Sequence, residues 1–204
     1  MIVLHHTAME SCEAALARLC DPGAEVSCHY LVTEAGEVLQ LVEEDLRAWH
    51  AGVGQWGAVT DVNSRSIGIE LANTAAHPYP EPQMAALEAL LRSIMARWQI
   101  APERVIAHSD MAPARKADPG PRFDWRRLAM QGLSVWPEPA CGEVDFHTAA
   151  KAFGYTADVD ESTLLSAFRL RFRPWARGPL DATDAALATD LATRFPVDRA
   201  SPAA

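Results

Sequence analysis

The stretch VIAHSDMAPARKADPGPRFDW, residues 105–125, sets the terms for the whole chain. It opens as a short apolar run, as a strand covered on both faces requires, and runs straight into His108. Lys116 and Asp118 follow within ten residues on a segment that must be a loop, because Pro119, Gly120 and Pro121 punctuate it. Upstream, Met84, Leu87, Leu91, Ile94, Met95 and Trp98 recur at helical spacing behind Pro82, a residue suited to a first helical turn. The helix should run to about Trp98 and stop before Pro102. Before it, SRSIGIELAN (64–73) is the clearest central strand, with Ile67, Ile69 and Leu71 alternating with Gly68 and Glu70. Strand, helix and strand in succession place the chain among layered α/β architectures.

Working outward, residues 1–4 form another apolar strand, ended by His5. MESCEAALARLC (9–20) sets Ala15, Leu16 and Leu19 on one helical stripe. HYLVT (29–33) and EVLQLV (37–42) are the arms of a hairpin, with Gly36 where positive φ is wanted. A hairpin among parallel strands makes the sheet mixed. RAWHAG (47–52) is expected to be a further extended segment, and VGQWGAVTDVN (53–63) a loop. A proline-punctuated linker, VWPEPACG (135–142), ends this unit. Beyond it Leu164, Leu165, Phe168 and Phe172 form one helical stripe, with Asp160 as N-cap, and Leu187, Leu191 and Phe195 form another. The expected architecture is a central mixed β-sheet flanked by helices over residues 1–137, followed by a small all-α module over 138–204.

The 204 residues carry a net charge of −9, with 49% hydrophobic and 22% charged side chains. That balance suits an ordinary globular protein and disfavours nucleic acid or anionic membrane as partners. No apolar run approaches the ~20 residues that span a bilayer. The opening MIVLHHTAMES has no basic segment and only a few apolar residues, so as written it is not expected to be a signal peptide and the expected location is the cytoplasm. A start further upstream would make the periplasm or outer membrane the expected location. Cys12, Cys20, Cys28 and Cys141 form no CxxC pair and are expected to be free thiols, the first two in a helix core.

Histidines at the ends of neighbouring strands can converge on one point. His5 ends the first strand, His108 ends a late one, and the loop after it can swing Asp118 back. Two histidines and one carboxylate would leave zinc an open position, which acidifies water and polarises a carbonyl. Spacing alone does not decide this, since His108 could cap a strand and Asp118 could open a turn. His6 is the weaker ligand candidate, because adjacent strand residues point to opposite faces. Glu70 is anomalous as structure: a carboxylate inside IGIEL is costly to bury unless it has a partner or a task.

Five separated motifs carry a resemblance: IVLHHTA (2–8), SCHYLV (27–32), AWHAG (48–52), NSRSIGIELAN (63–73) and the 105–125 stretch. Their order and spacing resemble those of the zinc-dependent N-acetylmuramoyl-L-alanine amidases, whose fold is shared with the peptidoglycan recognition proteins. The resemblance implies one zinc per chain on His5, His108 and Asp118, with Glu70 activating the water and Lys116 stabilising the oxyanion. It implies that Trp49, His50 and Asn63 edge the substrate cleft and that His29 lines the groove. Cys28 stands where some relatives carry a functional tyrosine, which leaves that role to Glu70. The implied substrate is peptidoglycan or a muropeptide, cut between the lactyl group of N-acetylmuramic acid and L-alanine, by a monomer. The alternative is a non-catalytic peptidoglycan recognition protein, which typically lacks the third ligand. Asp118, Glu70 and Lys116 together favour the enzyme. The helical module resembles, more weakly, a peptidoglycan-binding domain.

Overall fold

A computed structural model describes residues 1–139 and 144–198. Five strands, β1 (Ile2–His6), β2 (Tyr30–Val32), β3 (Val38–Gln40), β4 (Ile67–Leu71) and β5 (Val105–Ala107), form one sheet in the order β3-β2-β4-β1-β5. All neighbours are parallel except the β2–β3 hairpin, so the sheet is mixed. Gly36 turns that hairpin at φ +87°, and a Cβ there would also meet the Pro82 carbonyl oxygen at 2.6 Å. Among the described residues seven α-helices flank the sheet: α1 (Cys12–Leu19), α2 (Glu81–Trp98), α3 (His108–Met111), α4 (Trp125–Met130), α5 (Phe146–Phe153), α6 (Glu161–Phe172) and α7 (Ala182–Arg194). None is long and apolar enough to cross a membrane.

The alternation of β1 assigns the two faces of the sheet. Ile2 and Leu4 join Ile69 and the α2 residues Leu87, Leu91 and Ile94 in one core. Val3 and Ile106 join the other core, whose bulk is Phe146, Phe153, Phe168, Phe172 and Leu191 from α5, α6 and α7. The C-terminal helices therefore cover one face of the sheet and share its core. Asp160 caps α6 by accepting from the Thr163 amide at 2.8 Å, as the sequence suggested. Residues 140–143 of the expected linker, with Cys141, lie outside the described residues.

Three local expectations change. RAWHAG joins no strand ladder, because side chains take its backbone groups: the His50 and Ala51 amides both donate to Asn63 Oδ1, and Trp49 N–H donates to Ser27 Oγ. The last strand ends at Ala107, so His108 opens a helix instead of closing a strand. Asp110 Oδ2 accepts from the Ala107 amide at 2.8 Å and turns the chain there. Cys20 is exposed and Cys12 half-buried, since α1 buries only Ala15 fully; the three described cysteines are free.

Candidate metal centre and cleft

β1, β4 and β5 run parallel, so their carboxyl ends lie on one edge of the sheet, where open α/β sheets form their crevices. His5 sits at the end of β1, Glu70 is its register partner on β4, and His108 follows β5 directly. Asp118 returns to this edge because its loop is tied down. The Ser109 amide donates to Asp118 O at 3.1 Å, the Tyr79 hydroxyl donates to Pro119 O at 2.7 Å, and Arg115 donates to Ala51 O at 2.7 Å. His5, His108 and Asp118 thereby form a cluster whose ligand atoms all lie within 4.8 Å of one another.

The proton positions in this cluster follow from its ends. Ser66 Oγ gives its single hydrogen to Val62 O at 2.5 Å, so toward His50 Nε2, at 3.3 Å, it must accept. His50 Nδ1 is then the acceptor for the proton on His5 Nε2, 3.0 Å away. On the other side His108 Nε2 donates to Ala51 O at 2.9 Å. With the rings neutral, Nδ1 of His5 and Nδ1 of His108 both present lone pairs. They face each other at 2.9 Å and face Asp118 Oδ2 at 3.1 and 3.0 Å.

Burial, and then the neighbouring His108, lowers the His5 pKa to about 4, and burial pushes His50 well below its ordinary value, so those two rings are neutral at pH 7. Three converging lone-pair donors repel unless a cation sits among them. Tetrahedral zinc with ligands at about 2.0–2.1 Å would space such atoms about 3.3 Å apart, close to what is seen. The donor set fits zinc. His6, the other histidine considered, lines the same cavity but is not part of this cluster; its buried Nδ1 has no hydrogen-bond partner among the described residues.

Glu70, Lys116 and Trp49 line the same cleft as the three donors, a cavity of about 300 Å³. Glu70 is partly buried, and its enclosed Oε2 has no hydrogen-bond partner among the described residues. Burial, reinforced by the Asp118 charge and opposed by Lys116, raises its pKa to about 8. No arginine pairs with it among the described contacts, so the anomaly of a carboxylate in an apolar strand is not resolved by an ion pair. Trp49 is 58% exposed at the rim, and Lys116 is exposed.

Two residues expected at the cleft, His29 and Asn63, stand elsewhere. His29 is fully buried, with Nδ1 accepting from the Gly68 amide at 2.9 Å and Nε2 donating to Leu46 O at 3.1 Å. Asn63 is buried beneath the 50–51 backbone that it holds, and does not line the cavity. His50 lines the cavity, yet its ring bonds belong to His5 and Ser66. It fits only because residue 68 is glycine: a Cβ there would meet the His50 ring at 2.3 Å. Cys28 is buried, and its thiol donates to Tyr30 O. Ser66 was not singled out by the sequence, and only its place two residues before Gly68 could have suggested it.

A family model described as N-acetylmuramoyl-L-alanine amidase matches residues 1–121. The chain is 35% identical to the N-acetylmuramoyl-L-alanine amidase AmiD of Escherichia coli K12, over 97% of this chain and 84% of that protein. It is 43% identical to the 1,6-anhydro-N-acetylmuramyl-L-alanine amidase AmpD of Enterobacter cloacae, over 50% of this chain and 55% of that one. The solved complex of E. coli AmiD with the substrate anhydro-N-acetylmuramic acid-L-Ala-D-gamma-Glu-L-Lys superposes with a TM-score of 0.88, covering 97% of this chain and 90% of that one. AmpDH3 from Pseudomonas aeruginosa, 31% identical, superposes with a TM-score of 0.86 over 96% of this chain and 91% of that one.

Proposed function

The chain belongs to the N-acetylmuramoyl-L-alanine amidase family, and from that premise we propose that it hydrolyses the lactyl–L-alanine amide of muropeptides with one zinc held by His5, His108 and Asp118. The observation that carries the reading is the convergence of ligand atoms of His5, His108 and Asp118 beside a Glu70 Oε2 that has no partner among the described residues. A zinc held there would supply Lewis acidity, lowering the pKa of a bound water and polarising the scissile carbonyl. Glu70 Oε2 takes a proton from the attacking water as its oxygen bonds to the carbonyl carbon. A carboxyl with a proton affinity near neutrality can also return that proton to the amine as the C–N bond breaks. The Lys116 ammonium lines the same cavity and supplies positive charge where the carbonyl oxygen becomes negative. His50 and Ser66 keep the His5 ring in the tautomer that leaves Nδ1 free. Every one of these groups comes from a single chain, so a monomer suffices.

Digestion of a purified muropeptide followed by mass spectrometry tests this. The expected products are the free stem peptide with an L-alanine amino terminus and the intact muramic acid lactyl carboxylate, both abolished by a strong chelator and restored by zinc. Cleavage at another bond, or chelator-resistant cleavage, would refute it, and tight binding without products would favour the recognition-protein alternative.

A further inference from the structure

α3 is four residues long, too short to hold its own orientation, yet it begins with the ligand His108 and its Ser109 amide bonds to the carbonyl of the ligand Asp118. What fixes it lies far along the chain. Asp110 is fully buried and accepts from three directions: the Ala107 amide at 2.8 Å, the Tyr155 hydroxyl at 2.6 Å, and the Arg171 guanidinium. Arg171 is itself 2% exposed, donates to Val105 O at 3.0 Å and Ser134 Oγ at 3.1 Å, and stacks over Trp125 at 4.3 Å. Arg171 on α6 and Tyr155 in the α5–α6 loop thus grip the β5–α3 junction.

We propose that Arg171 and Tyr155 are positioning residues of the metal centre, acting through Asp110 to hold α3 and with it His108 and Asp118. This rests on the metal reading above. It makes the C-terminal helices part of the scaffold of the metal site, whatever they do toward the cell wall. The same helix contains an internal control. Arg169, also on α6, pairs with buried Asp184 on α7 and donates to Gly178 O and Pro179 O in the α6–α7 loop, none of them in α3.

The test uses the full chain as wild type, Arg171→Met, Tyr155→Phe and Arg169→Met. Zinc dissociation constants are measured by competition with a chromophoric chelator, beside thermal midpoints of the zinc-free proteins. Arg171→Met and Tyr155→Phe should weaken zinc binding roughly 10–100-fold, the usual effect of losing an outer-shell support. Arg169→Met should lower the midpoint while leaving zinc affinity within about twofold of wild type, because its contacts do not reach the ligands. Wild-type zinc affinity in both Arg171→Met and Tyr155→Phe overturns the proposal. So does an Arg169→Met variant that loses as much affinity as they do. Should Arg171→Met fail to fold, Tyr155→Phe decides alone, since it removes one hydroxyl and strands no charge. A wild type that binds zinc but cleaves no muropeptide would refute the proposed function and leave this inference to the affinities. A wild type that binds no zinc would sink both.

Discussion

Replacing Glu70 by glutamine should slow the enzyme and stabilise the metal-free protein at once. Glu70 Oε2 is enclosed without a partner, and the folded pKa of about 8 stands well above the ordinary 4.5. A carboxyl raised in this way favours folding fully below pH 4.5, and that advantage is lost as pH rises through about 8. Glutamine keeps the shape and never ionises. The two zinc-free proteins should therefore be about equally stable near pH 4. Glutamine should then be ahead by about 3 kcal/mol at pH 7, and by up to about 5 kcal/mol above pH 8. These are large fractions of the total stability of a domain. Turnover of a defined muropeptide should fall ~10²–10⁴-fold, the usual worth of a positioned general base, while substrate affinity and zinc content change little. Urea unfolding in the presence of chelator at pH 4.5, 7 and 9 reads the first effect, and steady-state kinetics on zinc-loaded protein read the second. A stability difference independent of pH would refute the reasoning about burial. Near wild-type turnover would refute the assignment of the base.

Two further predictions concern the surroundings of the ligands. His50→Ala and Ser66→Ala each free the His5 ring to change tautomer, and each should weaken zinc binding roughly 10–100-fold in chelator competition; affinities equal to wild type would show that the Ser66–His50–His5 chain is incidental. Lys116→Met should lower turnover with zinc retained and substrate dissociation constant nearly constant, because its charge interaction strengthens in the transition state. A change confined to affinity would place Lys116 in ground-state binding.

The edge of the sheet was legible in the sequence because it depends on strand order and strand ends. Apolar runs ending in His5 and His108, and a carboxylate lodged in IGIEL, mark one rim of an α/β layer from residue types alone. His29 and Asn63 were illegible for the opposite reason. Their partners are backbone groups of β4 and of loops that meet them only in three dimensions, and a buried histidine bonded to Gly68 N–H looks, in sequence, like one that faces a ligand. The extended segment RAWHAG fails as a strand because Asn63 and Ser27 satisfy its amides, which propensity does not encode. The expected separation of the C-terminal helices followed from a proline-rich linker. The core they share with Val3 and Ile106, and a buried arginine reaching 61 residues back to Asp110, become visible only in the structure. The one hint was Arg169 and Arg171 set among the apolar positions of α6.

The most direct test of the central claim is zinc content measured beside turnover in wild type and in His5→Ala, His108→Ala, Asp118→Ala and His6→Ala. Wild type should hold one zinc per chain and release the stem peptide. The three ligand variants should lose metal and activity together, and His6→Ala should keep its zinc. Stem-peptide release by a chain that holds no zinc would contradict the account, as would zinc retained in His5→Ala and lost in His6→Ala.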